Sequence, residues 1–275
     1  VGTGPIGLEL GQALHRLGVR VRLFGEDGHV GGLSDPVILR YTREALGREY
    51  PLHANAEIVE AKRDGAEVVL TWKEDGRTES DRFAVALIAT GRPPQLDDLG
   101  LQHTGVPRDD HGHPQVDRHT LQAGNTPIFI AGDASHHIPL LHEAHVEGLI
   151  AGTNAAKFPK IESAERTVPL SIVFSDPQIA QVGKRFDKLD RDSFVIGRAD
   201  YETQGRSRIM DCRTGLLHIY ADRKTGTLLG AEGIGPDFEH LSHLLAWAVQ
   251  CQLRVQDALS QPYYHPTLEE GVRTA

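Results

Sequence analysis

The chain has 275 residues, of which 39% are hydrophobic and 29 are glycine, and it carries a formal charge of -9 from 29 Lys+Arg against 38 Asp+Glu. This composition belongs to a globular chain with a core and excludes a disordered or acidic-tail protein; the acidic balance argues against nucleic acid as a partner. No run approaches a membrane span and no signal peptide is visible, so no membrane partner is expected and the cytoplasm is the default location.

The chain opens VGTGPIGLELG, with Gly2, Gly4 and Gly7 in G-x-G-x-x-G spacing. In a nucleotide site that spacing means a tight turn at Gly2, close backbone approach at Gly4 and close helix packing at Gly7, with the helix N-terminus offering N-H groups to a pyrophosphate. The motif needs a strand before it, and only Val1 stands there, so the chain is read as beginning mid-domain. A ligand-free glycine turn is the plainer alternative. A helix is predicted from Pro5 to Leu17 and a strand from Val19 to Phe24. After a glycine-rich loop, Asp35 and Pro36 predict the cap and first position of a helix to about Leu46.

Segments 56–62 and 66–72 read as a hairpin around Asp64-Gly65, with a second turn at 74–77. Phe83 to Ala89 is wholly apolar and predicts a buried strand ending in Thr90-Gly91-Arg92-Pro93-Pro94, which closes a first domain near residue 94. Residues 95–125 show no period. PIFIAGD at 127–133 predicts another buried strand stopping at Gly132-Asp133, then a helix from about Leu140 to Ala156 and a polar linker over 159–167. The remainder is strand-rich, with strands near 194–198, 216–221 and 228–234, a helix over 238–249 and short helices over 255–260 and 267–274.

Four ordered landmarks now resemble one family: GTGPIGLELGQAL at 2–14, ATGRPP at 89–94, PIFIAGD with the following LLHEAHVEG, and YYHPTLEEG at 263–271. The chain is similar to the flavoprotein disulfide oxidoreductases that depend on pyridine nucleotides, among them dihydrolipoyl dehydrogenase, glutathione reductase, mercuric reductase and soluble transhydrogenase. The resemblance implies an α/β fold: a Rossmann-like NAD(P) domain at 1–94 with its first strand truncated, a partial FAD-domain return at 95–160, and an α+β dimerisation domain at 166–275. It also implies FAD and NAD as cofactors, a homodimer, and electron transfer between a dithiol/disulfide substrate and NAD through a redox disulfide and FAD. The family's N-terminal flavin fingerprint and CxxxxC pair are absent from these residues, and Cys212 and Cys251 do not match that spacing; they are read as inert thiols.

By the same resemblance Gly2, Gly4, Pro5, Ile6 and Gly7 line the nucleotide pyrophosphate, and Glu9, on the first helical turn, lies towards the nicotinamide; favourable charge at a helix N-terminus is its plainer role. Gly25 stands where dihydrolipoyl dehydrogenases usually carry Glu, which leaves Glu26 as the ribose carboxylate and makes NAD the expected nucleotide over NADP. Gly91, Arg92, Gly132, Asp133, Leu141, His142 and Ala144 belong to the flavin-side segments, with Asp133 on the ribitol or phosphate region and Ala144 at a helix start; a cap or turn is the alternative for Asp133.

His265 and Glu270 match the family's HPTxxE, in which the histidine is acid and base towards the dithiol and the glutamate orients it. A capping box from Thr267 to Glu270 is the structural alternative. The fifteen histidines make no familiar metal set. Within the family the motif points to dihydrolipoamide, hence a lipoyl group, as substrate; glutathione, mercuric ion and transhydrogenation are alternatives. A nucleotide-binding and dimerisation module without turnover is the reading from another class, and for the 275 residues taken alone it is preferred to activity.

Overall fold

The computed structural model describes the backbone of residues 1–275 and every side chain except that of Asp97. Val1–Gly91 and Val168–Ala275 form one unit, and Arg92–Thr167 forms another.

In the first unit α1 (Pro5–Arg16) starts with a proline whose missing N-H costs nothing at a helix N-terminus, and its buried residues include Gly7, Leu8, Gly11 and Gln12. It leads to β1 (Leu23–Phe24). The carboxylate of Asp35 caps α2 (Pro36–Gly47), accepting from the amides of Val37 at 2.8 Å and Ile38 at 3.3 Å. β2 (Leu52–His53) pairs in parallel with β1, Leu23 opposite Leu52. A meander follows, β3 (Glu57–Asp64), β4 (Glu67–Glu74) and β5 (Arg77–Phe83), with the hairpin near Gly65 and the turn at Asp75-Gly76 where the sequence expects them. One face of β4 packs Leu70 and Trp72 against Phe24 and Ala56.

Two expected strands differ. The expected strand over 19–24 is reduced to Leu23–Phe24, and 84–89 form no ladder strand. The latter run bonds instead to a single residue: Val1 N donates to Leu87 O and Ala89 N to Val1 O, both at 2.7 Å. An apolar run supplies strand propensity, but a strand also needs a continuous line of backbone partners.

The second unit is largely irregular and includes a 3-10 turn at Gly132–Ser135 and the helix α3 (Leu141–Lys157). The expected strand over 127–133 is present only as a bridge from Phe129 to Gln122. The stretch read as a linker is anchored: the Asn154 side chain exchanges hydrogen bonds with the backbone of Glu162, both at 2.9 Å, and Ala164 N donates to His119 O.

The rest of the first unit is a five-stranded antiparallel sheet made of β6 (Leu170–Val173), β7 (Gln178–Gly183), β8 (Phe194–Asp200), β9 (Leu216–Asp222) and β10 (Leu228–Gly235), in the order β6-β7-β10-β9-β8. Short α4 (Gly205–Ile209) joins β8 to β9, and α5 (Phe238–Gln250), α6 (Val255–Leu259) and α7 (Glu270–Thr274) follow. The two-residue period sorts the sheet. Ala180, Val182, Leu217, Ile219 and Ala231 join one core with Leu241 and Leu245 of α5. Ile179, Leu216 and Ile234 join another with Leu8, Leu33, Ile38 and Leu46 from α1, α2 and their loop. Each fully buried Leu or Ile contributes about 1.5–3 kcal/mol.

Buried polar groups join the same two layers. His218 Nδ1 lies 2.7 Å from Asp35 Oδ2, and the Tyr220 hydroxyl donates to that oxygen at 3.0 Å. Glu232, fully buried, accepts the amides of Ser34 at 2.7 Å and Asp35 at 2.8 Å. Burial opposes ionisation of Asp35, but the bond and charge of His218 and the helix amides outweigh it and hold its carboxyl below the ordinary range. The loop 25–35 is thereby fixed at its C-terminal end.

Candidate functional site

The glycine motif folds as a tight turn that opens directly into α1. Gly2 has φ +107 and donates its N-H to Phe24 O at 2.7 Å; a Cβ there would run into the Ala89 carbonyl. A Cβ on Gly7 would strike the carbonyl oxygen of Gly2, so turn and helix meet backbone to backbone. Gly4 is different. No atom lies within 4 Å of its missing Cβ, it is the N-cap of α1, and no side chain caps the helix. Exposed Pro5 and Ile6 follow. Free helix amides facing open space suit an anion.

Buried Thr3 ties this cradle to the loop after β1. Its hydroxyl donates to His29 O, and Gly31 N donates to Thr3 O at 2.9 Å. A Cβ on Gly25 would meet the Thr3 hydroxyl, so a glutamate at 25 has no room. Glu26 beside it is exposed. Arg22 is engaged elsewhere, 3.2 Å from Asp81 and over the Trp72 ring. Glu9 departs from its expected placement: α1 begins at Pro5, which puts Glu9 in the second turn, and its carboxylate accepts the Phe174 amide at 2.9 Å. Gly91, with φ +124, is exposed at the end of this unit's first segment.

In the second unit the ATGRPP and AGD motifs meet, Arg92 lying 3.5 Å from Asp133 and donating to Pro139 O at 3.3 Å. Gly132 has φ +70, and its missing Cβ would stand 3.3 Å from Ala144 Cβ. Leu141 and His142 are exposed at the start of α3, which has no side-chain cap. Ala144 is the fourth residue of α3 and not its start; its N-H already donates to Leu140 O at 2.9 Å.

Glu147 and Arg166, which sequence reasoning passed over, hold this turn together with His137. Glu147 Oε2 accepts Gly132 N at 2.8 Å and the Ser135 hydroxyl at 2.9 Å, while Oε1 lies 2.9 Å from Arg166 Nη2 and 3.3 Å from His137 Nδ1. Burial opposes ionisation of Glu147, but the bonds from Ser135, Gly132 and Arg166 outweigh it and keep its carboxyl below the ordinary range. The signal available was two glutamates, Glu143 and Glu147, four apart on one helical face, both buried.

The third constellation is His265 with Glu270. Both carboxylate oxygens stand 3.0 Å from His265 Nδ1, and Glu270 Oε2 also accepts the Thr267 amide at 3.1 Å. Those two contacts, the imidazole first, hold the Glu270 carboxyl below its usual range. The imidazole is 77% exposed, and among the described residues its Nε2 has no partner. The expected capping box forms by half: Glu270 receives the Thr267 amide, but the Thr267 hydroxyl donates to Tyr264 O at 2.7 Å, and α7 begins only at Glu270. The ring is held at Nδ1 and open at Nε2, an arrangement that suits proton exchange.

Both cysteines are exposed and free, and no metal-holding group of three or more His, Cys, Asp or Glu side chains gathers among the described residues. No helix of the described residues is long and apolar enough to cross a membrane.

Residues 1–148 match the family described as pyridine nucleotide-disulphide oxidoreductase, and residues 169–275 match its dimerisation domain. The chain belongs to this family. Among curated relatives, it is 31% identical to dihydrolipoyl dehydrogenase of Haloferax volcanii over all of this chain and 58% of that protein, and 31% identical to that of Thermus scotoductus over all of this chain and 60% of that one. A crystal structure of LpdA from Mycobacterium tuberculosis superposes with a TM-score of 0.83 at 27% identity, covering 99% of this chain and 59% of that one. RclA of Escherichia coli, an HOCl-induced flavoprotein disulfide reductase, shares the fold at 19% identity and a TM-score of 0.81. The chain thus spans about three fifths of the length of these relatives. Within the family the matched regions take in all three constellations.

Proposed function

We propose that the protein is an FAD-dependent, NAD-linked disulfide oxidoreductase acting as a dihydrolipoyl dehydrogenase, with His265 as acid-base residue and Glu270 as its orienting partner. The observation that carries this is the imidazole fixed at Nδ1 by both oxygens of Glu270 with Nε2 open to solvent. Dithiol chemistry moves protons on and off sulfur near neutral pH, and a histidine so held does this without losing its orientation. The names of the relatives favour the lipoyl group over glutathione or mercuric ion.

The chain's residues fit both cofactors. For NAD, the cradle of Gly2, Gly4 and Gly7 with Pro5 and Ile6 leaves open space where a pyrophosphate meets helix amides. Glu26 would hold the adenosine ribose, since Gly25 has no room for a side chain, and with Asp27 it would repel a 2'-phosphate. For FAD, the paired Arg92 and Asp133 and the uncapped start of α3 at Leu141 and His142 offer charge and amides, and Gly132, whose missing Cβ would stand 3.3 Å from Ala144, lets the turn approach the helix. When bound, the flavin supplies the two-electron relay between the nicotinamide and a disulfide. Asp133 would accept a flavin hydroxyl, and Arg92 offsets its charge.

The unit breaks after Gly91 and Thr167 support setting an FAD-domain segment at 95–160 apart; residues 1–91 and 168–275 fold as one unit, and the division between an NAD domain at 1–94 and a dimerisation domain at 166–275 is supported by the family match over 169–275. A homodimer is supported by the family match over 169–275 and by exposed Leu259 and Tyr264, which line an apolar groove in the C-terminal part. A second reading, a nucleotide-binding and dimerisation module without turnover, applies to the 275 residues alone, because their only two thiols, Cys212 and Cys251, are separate and exposed.

Nucleotide choice is tested by calorimetric titration. NADH is expected to bind at least tenfold tighter than NADPH, and Glu26→Ala to narrow that gap to within about threefold, the size of losing one charge-assisted bond and its repulsion. Equal affinities in the unsubstituted chain would remove Glu26 from the site.

A further inference from the structure

Arg166 lies in a stretch whose composition reads as a solvated linker, yet its side chain is 6% exposed and sits between two glutamates that are themselves buried, 2.6 Å from Glu143 Oε2 and 2.9 Å from Glu147 Oε1. Its backbone neighbour Ala164 is tied to His119, and Arg166 Nη1 donates to Arg118 O at 3.4 Å, so the guanidinium is delivered by a fixed segment. Burying an arginine among carboxylates is costly unless every charge is matched. His137 closes the cluster, its Nδ1 3.3 Å from Glu147 Oε1 and its Nε2 3.2 Å from Val116 O.

The consequence falls on Glu147 Oε2. With Oε1 occupied by Arg166 and His137, the other oxygen is left to hold Gly132 N-H and the Ser135 hydroxyl, the two ends of the 3-10 turn that carries Asp133. We propose that Arg166 is a positioning residue for this turn: by fixing the orientation of the Glu147 carboxyl, it sets the conformation in which Gly132 and Asp133 are presented. This rests on the flavin reading of the turn given above, but the hold of Arg166 on the turn stands on its own contacts. Arg166 touches no reacting group and acts through Glu147 alone.

Hydrogen exchange of the 275-residue chain, read on peptides covering 129–139, 141–157 and 238–250, tests the proposal. Arg166→Met leaves two buried carboxylates underpaired and can unfold the unit, so the decisive variant is Glu143→Leu with Arg166→Met, which removes the outer carboxylate together with its partner. Exchange over 129–139 is expected to rise at least tenfold in the double variant with 238–250 unchanged and 141–157 changed less than threefold, and Arg166→Lys is expected to restore most of the protection. Unchanged exchange over 129–139 in the double variant overturns the proposal, as does an equal rise over the turn and the helix, which is plain loss of stability. Equilibrium dialysis against FAD separates the two readings. At least tenfold weaker binding by the double variant supports the positioning role, whereas failure of the unsubstituted chain to bind FAD overturns the flavin assignment and leaves exchange alone to judge Arg166.

Discussion

Replacing His265 by Gln in the flavin-loaded protein is expected to lower lipoamide turnover about 10²–10⁴-fold, the range for losing a positioned acid-base group, while flavin content stays the same. The side chain is exposed and carries no packing role, and glutamine keeps its approximate reach, so the fold has little to lose. What disappears is the group that takes and returns the thiol proton. Glu270→Gln removes the charge opposite Nδ1 but keeps an acceptor there, so its loss is expected to be smaller. Because its partners depress the Glu270 carboxyl, the pair is intact above the carboxylate's usual range and is lost only as pH falls below it. Neutral-pH assays therefore compare the same charge state. Turnover by His265→Gln within threefold of the unsubstituted protein would take the residue out of the chemistry.

The second large effect separates the glycines of the cradle by mechanism. Gly7→Ala places a methyl into the Gly2 carbonyl oxygen, a backbone atom that cannot step aside. A destabilisation at or above about 3 kcal/mol is expected, the upper end for overpacking, together with loss of nucleotide binding. Gly4→Ala adds its methyl to open space, so thermal stability should change little. NADH affinity should nevertheless fall at least tenfold, since the methyl occupies the approach to the α1 amides. Calorimetry on both variants reads stability and binding together. Equal melting temperatures for the two, or undiminished NADH binding by Gly4→Ala, would contradict the cradle.

Much of this was legible because it is local. The fingerprint glycines, the Asp35 cap, the turn at Asp75-Gly76 and the spacing of His265 and Glu270 all lie within a few residues of what they act on. The alternation along β9 and β10 likewise announces a sheet. The failures are non-local. Residues 84–89 and 127–133 carry strand composition, but their backbones find one residue or one bridge as partner, and composition says nothing about partners. Thr3 sits between two fingerprint glycines, and only its approach to Gly25 shows why no carboxylate can stand at that position. Arg166 looks like one more charge in a polar stretch until Glu143 and Glu147, from a helix earlier in the chain, close around it. Glu232 and His218, polar residues within apolar strands, meet the loop after β1 only in the folded unit.

The most direct measurement is NADH oxidation by the flavin-loaded protein with lipoamide, glutathione disulfide and mercuric ion offered side by side. Lipoamide is expected to be reduced at least tenfold faster than the other two, with NADH preferred to NADPH. A faster rate with glutathione disulfide or mercuric ion, or no acceptor-dependent oxidation of NADH in protein that holds its flavin, would contradict it.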